Sequence, residues 1–219
     1  LPIAWCAFVL ALPGLALAGS SGNLLYQFDF AARSGDAGVS TIAGATLGNI
    51  GQSPSINSFG AIGFQAGLST GGNGLFVAKI GDSVPRNINP TFSNNASRVF
   101  SAAVQINDAN QIAARDQLSG APPQNLIRFW DVNATDTFTT LARGGGVTDP
   151  FDAVFAFPSG NDNGDIVFSA LDATLGNVLA TPVTPGNTSN FNKIQLTGPL
   201  LPKISLSGKI VLRAGNTAA

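Results

Sequence analysis

Aspartate is the only acidic side chain available for chemistry in this chain, which has 12 acids and no glutamate. Two pairs lie close in sequence, Asp131 with Asp136 and Asp149 with Asp152, and paired carboxylates are what glycosidic bond cleavage needs. Each of the four stands in a turn-like context, where Asp is favoured anyway because its side chain bonds nearby backbone amides. The oxygen-rich run Asn161-Asp162-Asn163-Gly164-Asp165 invites a calcium reading. It lacks the alternating acids with a distant Glu that a calcium loop uses, so a hairpin turn capped by Asn and Asp is the competing account. Phe129 and Trp130 offer an aromatic platform for a sugar, although such residues more often belong to the core. Arg115 and Arg213 share one register and would line a rim able to meet carboxylates, or stand as solvated strand-end charges. With no His and the single Cys6, an internal disulfide, most nucleophile–base pairs and most transition-metal sites are excluded. No residue is therefore assigned as catalytic, cofactor-binding or metal-ligating, and no cofactor is expected.

The elements that must position these residues come in copies. The stretches 56–66, 106–116, 160–170 and 204–214 align without gaps. Gly60, Asn110, Gly164 and Gly208 take the turn position, residue types that reach positive φ at little cost. Ile62, Ile112, Ile166 and Ile210 follow two residues later, then Phe64, Ala114, Phe168 and Leu212. Between them stand Gly63, Ala113, Val167 and Val211, so the middle of each strand is apolar on both faces. A sheet with one wet side would alternate, whereas this pattern requires neighbours above and below. The turns are 50, 54 and 44 residues apart, a spacing for units of three or four short strands that bury their faces by stacking. The fold expected is all-β, with about four repeated antiparallel units over residues 24–219.

Composition agrees with an all-β repeat domain, with 26 Gly, 13 Pro and only 11% charged residues. A net charge of −1 without a basic stripe argues against nucleic acid as a partner. Residues 1–18, an uncharged apolar run ending Ala16-Leu17-Ala18, read as a secretory signal whose start is missing. A membrane anchor and a buried first strand are the rival readings. Pro2, Pro13 and Gly14 interrupt the run and it barely reaches spanning length, which favours the signal and leaves no stable membrane span after its removal.

The mature fold is expected to start with a strand over Leu24 to Ala32 and a turn at Ser34 to Gly38. Gly81-Asp82 and Gly144-Gly145 are expected to mark junctions where one repeat hands over to the next. Gly67 to Gly74 reads as a hairpin connection, lacking the Lys-Ser/Thr ending of a phosphate cradle. Asn133-Ala134-Thr135-Asp136 is the expected exposed excursion of the second repeat. The fourth repeat is expected to begin near Phe191 and to stop at Ala219 before its companion strand. No helix of useful length is expected after residue 20.

At Ile56-Asn57-Ser58-Phe59-Gly60-Ala61-Ile62-Gly63-Phe64, Ile106 to Ala114 and Asn161 to Phe168, with Gly74 to Val77 and Gly81 to Pro85, the chain resembles the bacterial secreted tandem-repeat proteins of the N-x-x-G-x-x-A-F type, whose members use varied anchors. The resemblance covers about residues 24–215. It departs at Gly63, Asn110, Ala114 and Ser205. What it implies is a β-propeller-like or related stacked β architecture outside the cytoplasm, with no established activity; the count of about four repeats leaves either an incomplete propeller with an open edge or a tight four-unit arrangement. Asp162-Asn163-Gly164 is similar to the Asp-box hairpin of sialidase-type propellers, an analogy of fold only, since Phe168 falls one residue late. The function expected is a non-enzymatic structural or binding module meeting an unidentified extracellular ligand, a glycan or surface protein. A propeller-type glycan hydrolase using Asp pairs is the alternative.

Overall fold

The computed structural model describes residues 31–36, 42–79, 82, 84–93, 95, 97–120, 123–184, 186–197, 201–204 and 210–213. The signal expected over 1–18 and most of the strand expected over 24–32 lie outside them. Ala31 and Ala32, which are described, are not in a strand, and Ser34-Gly35 forms the expected turn.

Three similar antiparallel sheets follow one another along the chain. In the first, β1 (Leu47–Ile50) and β2 (Ser55–Ile56) share one edge of β3 (Ala61–Leu68), and β4 (Asn73–Lys79) and β5 (Arg86–Asn87) complete the meander. The helix α1 (Pro90–Ser93) leads to the second sheet: β6 (Arg98–Phe100), β7 (Gln105–Ile106), β8 (Gln111–Leu118), β9 (Gln124–Asp131) and β10 (Phe138–Gly144). The third holds β11 (Ala153–Val154), β12 (Ser159–Gly160), β13 (Ile166–Asp172), β14 (Gly176–Pro182) and β15 (Phe191–Gln195). A hairpin of β16 (Leu201–Ile204) and β17 (Ile210–Arg213) ends the described chain. None of these sheets closes on itself.

The aligned copies are the same hairpin at the same register. Ile56 pairs with Ile62, Ile106 with Ile112, Gly160 with Ile166 and Ile204 with Ile210. The turn residues take the expected backbone, with φ of 76° at Gly60, 57° at Asn110 and 82° at Gly164. Asn tolerates that region because its short polar side chain bonds locally.

Apolar residues on both faces of the central strands do what the pattern requires. One core layer joins Ala61, Leu75, Val77 and Ile88 of the first unit to Phe100, Ile106, Ile112, Ala114 and Trp130 of the second. The next joins Ala113, Ile127, Phe129 and Leu141 to Phe151, Ile166, Phe168, Ala170, Val178 and Ala180. A third covers the remaining face of the first sheet, where Ala45 and Leu47 pack on Ile62, Phe64 and Phe76. Each internal sheet is thus sandwiched, and its stability is shared with its neighbours.

The small residues have the same origin. The Cβ of a side chain at Gly63 would lie 3.2 Å from the Ile106 Cβ of the following repeat, and one at Gly160 would meet the Phe129 ring at 2.7 Å. Close approach of successive units therefore selects against bulk at these points.

Two boundaries differ from those expected. Asp82 lies in the connection between β4 and β5, inside the first sheet rather than between repeats, and its carboxylate accepts the Lys79 N–H at 2.7 Å. Phe191 opens β15, the last strand of the third sheet, and the fourth unit starts ten residues later at Leu201. Gly144-Gly145 does mark a junction, leading from β10 towards β11 with φ of 98° at Gly145. Helix α1 is a single turn following Asn89 and opening at Pro90; Pro suits the first helical position because its missing N–H has no partner to lose there. No helix of the described residues is long and apolar enough to cross a membrane.

Candidate functional site

The densest polar constellation runs across the repeats at their turns. Asn57, Asn107 and Asn161 occupy one register and do one job twice over. Inward, each Oδ1 closes its own turn: Asn57 accepts from the N–H groups of Phe59 and Ala61 at 3.1 and 2.9 Å, Asn107 from Gln111 at 2.8 Å, and Asn161 from Asn163 and Asp165 at 3.1 and 2.9 Å. Outward, the amide reaches the next repeat. Asn57 Nδ2 donates to the Asn107 carbonyl at 3.2 Å and Asn107 Nδ2 to the Asn161 carbonyl at 3.0 Å. An amide has both donor and acceptor, and no other side chain of this length could satisfy a tight turn and a neighbour together.

The adjacent position adds a second rung. Asp108 accepts from Ser58 N–H at 2.7 Å and from its hydroxyl at 2.6 Å, and Asp162 Oδ1 accepts from Asp108 N–H at 2.6 Å. The Ser58 hydroxyl and amide hold the Asp108 carboxyl below its ordinary range. A third rung joins the inner strands: Ser55 Oγ accepts from Ile106 N–H at 2.6 Å, the Ser159 hydroxyl donates to Gln105 Oε1 at 2.7 Å, and Ile204 N–H donates to Ser159 Oγ at 3.2 Å.

The second sheet carries a buried ion cluster. Asp116 Oδ2 accepts from Arg98 Nη1 at 2.8 Å and from Arg128 Nη1, with the Asp116 side chain fully enclosed. The Arg98 guanidinium lies 4.3 Å from the Phe92 ring centre, and that of Arg128 4.0 Å from that of Phe138, so the cations are stacked on aromatics as well as paired. Burial pushes the Asp116 carboxyl up against the pull of Arg128 and Arg98, and brings Arg128 down to about 10. Asp116 Oδ1 has no hydrogen-bond partner among the described residues.

The residues singled out for chemistry are placed in turns and core. Asp131 Oδ1 accepts the Asn133 N–H at 2.7 Å, Asp149 the Gly146 N–H at 2.8 Å, and Asp136 holds Thr91 through its hydroxyl at 2.6 Å. Asp152 is exposed and bonds through its backbone N–H to Leu171. Asn161 to Asp165 is a turn in which Asp165 Oδ2 accepts from Asn161 Nδ2 at 2.9 Å. Among the described residues no three acids, cysteines or histidines gather where a cation could sit. Trp130 is wholly buried among Phe92, Phe100 and Phe138, and Phe129 is in the layer between the second and third sheets. Arg115 is half-buried with its Nε unpaired among the described residues, which corrects its reading as a solvated charge: β8 is an inner strand, so even its polar end is flanked by protein, and that desolvation lowers its pKa.

Sequence reasoning missed the outward half of the Asn function and the Asp116 cluster. Both left a trace. Asn recurs at 57, 107 and 161, and Asp116 stands where the other copies have Ala66, Ala170 and Ala214, a charge at a small apolar position. No family description, curated protein or solved structure matches this chain.

One largely enclosed pair sets an acid response. Lys193 Nζ bonds Asp172 Oδ2 at 2.5 Å, and this contact, with the Leu175 and Thr174 amides, lowers the Asp172 carboxyl to about 2. A folded-state value below the ordinary 3.8 stabilises the fold above that ordinary value and is lost as pH falls from 3.8 towards about 2. Asp172→Asn is expected to flatten this part of the stability–pH curve, measured by urea unfolding at stepped pH, without altering its course above pH ~5.

Proposed function

We propose that the chain is a non-catalytic β-repeat module working outside the cytoplasm as a structural or binding surface, its units arranged in a propeller-like stack of the N-x-x-G-x-x-A-F type. The observation that carries this reading is the commitment of the acids: Asp108, Asp116, Asp131, Asp136, Asp149, Asp162 and Asp172 each hold a turn, a neighbouring repeat or a buried cation. Carboxylates so engaged are scaffold, whereas glycosidic chemistry uses two that face one bond across a cleft.

The motif also acquires a physical meaning that supports the family reading. Its Asn closes one turn and hooks the next, its Gly takes positive φ, its small residue admits the following strand, and its aromatic, Phe64 or Phe168, fills a core layer.

A ligand would meet the first turn, where Phe59 and Ile56 are 65% and 52% exposed although the equivalent Ile106 is buried under the preceding repeat. Apolar side chains gathered at one exposed turn suit a sugar face or a protein surface. Incubation with immobilised polysaccharides and bacterial surface proteins tests the reading. Retention that is weakened by Phe59→Ser, with no reducing ends released, is expected. Release of reducing ends that Asp131→Asn or Asp149→Asn abolishes would establish the hydrolase instead.

A further inference from the structure

We propose that Asn133 is an acceptor for an N-linked glycan. The tripeptide Asn133-Ala134-Thr135 has the acceptor form, Asn followed two residues later by Thr with no intervening Pro. It lies in the connection between β9 and β10, with Asn133 and Thr135 both exposed.

The loop is clamped at its base and open at its tip. Val132 is buried and its N–H donates to the Asn110 carbonyl at 2.8 Å, Asp131 N–H donates to Thr137 O at 2.9 Å, and Asp136 grips Thr91. Asn133 N–H is held by Asp131 Oδ1, which leaves the Asn133 amide and the Thr135 hydroxyl without hydrogen-bond partners among the described residues.

Two other tripeptides have the acceptor form, and their geometry differs. Asn95 Oδ1 accepts from Ser97 N–H at 2.9 Å, and Asn187 Oδ1 accepts from both the N–H and the hydroxyl of Ser189 at 2.9 Å, so these side chains are already tied inside their own turns. Only Asn133 has an acid two residues ahead, Asp131, where Asn95 and Asn187 have Ser93 and Pro185. That carboxylate fits oligosaccharyltransferases that read a negative charge at this position.

The co-reactant is a polyprenyl-diphosphate-linked oligosaccharide. The Asn133 Nδ2 attacks the anomeric carbon of the first sugar, the N–C bond forms, and the C–O bond to the diphosphate breaks with its electron pair leaving on polyprenyl diphosphate. The displaced amide proton passes to a base of the transferase. The inference rests on the extracytoplasmic reading, because such donors are used on the outer side of the membrane.

The test separates the two. Purified, folded chain is incubated with a purified acid-requiring oligosaccharyltransferase and its lipid-linked donor, then read by intact mass and peptide mapping, which does not depend on where the protein resides. Fractionation of expressing cells reports location independently. Addition of a single oligosaccharide on the peptide containing Asn133 is expected, lost in Asn133→Gln and in Asp131→Asn, whose amide oxygen can still cap the turn. An unmodified folded chain, under conditions in which a synthetic peptide of residues 129–138 is glycosylated, would overturn the proposal, as would modification confined to Asn95 or Asn187.

Discussion

Asp116→Ala is expected to destabilise the fold by about 3–5 kcal/mol, the cost of breaking an enclosed ion cluster by removing one partner. Among the described residues its carboxylate is the only counter-ion that Arg98 and Arg128 share, and both side chains are largely enclosed. Taking it away leaves two neighbouring cations without a counter-ion among the described residues, held by the Phe92 ring for Arg98 and by the Phe138 and Trp130 rings and the Thr140 hydroxyl for Arg128.

The upward push on the Asp116 carboxyl does not contradict this. It says that desolvation outweighs the Coulomb attraction for the charged form, and a protonated carboxyl would still offer an oxygen to a guanidinium where alanine offers nothing. The same balance makes a second expectation. Replacing all three members together, with Asp116→Leu, Arg98→Met and Arg128→Met, should recover most of the lost stability or exceed the starting value, since a well-packed apolar set avoids the desolvation entirely. Urea unfolding of the single and triple variants measures both. A single variant within about 0.5 kcal/mol of the parent would show that the cluster is solvated and contributes like a surface pair.

How much of this was readable beforehand depended on how local each interaction is. The hairpins were readable because turn residue and period-two pattern are written within eleven consecutive positions, and Ile62, Ile112 and Ile166 are all enclosed at the expected register. The double-sided burial of β3, β8 and β13 followed from Gly63, Ala113 and Val167 alternating with larger apolar neighbours.

Phe191 was misplaced because β15 is an edge strand whose Asn192 and Ile194 face solvent, so its pattern carries no core signal, and the aromatic at its start looks like a new beginning. Gly81-Asp82 misled by resembling Gly35-Asp36, although a Gly-Asp turn serves any strand connection equally well. The Asp116 cluster required knowing that β6 and β9 flank β8, a pairing across 18 and 12 residues that no local pattern encodes. The same distance hid the outward bonds of the Asn residues, which span 50 and 54 positions.

Those bonds set the second large effect. Asn107→Ala is expected to cost about 1–3 kcal/mol, because it takes the side-chain acceptor from the part-buried Gln111 N–H and removes the link to the next repeat at the middle of the array, an unsatisfied backbone group being worth about 1–3 kcal/mol. The variant loses the acceptor for Gln111 N–H, a donor to the Asn161 carbonyl, which keeps the Gly164 N–H, and the contact with Gln111 Oε1 at 3.1 Å, while Asn57 Nδ2 still reaches the residue 107 carbonyl.

Asn107→Asp divides the effect. It keeps an oxygen for Gln111 N–H yet removes the donor to the third repeat and sets a negative charge against the Asn161 carbonyl and beside Asp108. If the side chain served only its own turn, Asp would be tolerated, as Asp caps such turns well. If it couples repeats, Asp should be about as damaging as Ala, and the loss should appear as a shallower unfolding transition as well as an earlier midpoint, because stacked units that no longer support one another unfold piecemeal. Native-state hydrogen exchange locates the uncoupling: in both variants the amides of β13 should lose protection separately from those of β3, which remain joined through Asn57 to the second turn.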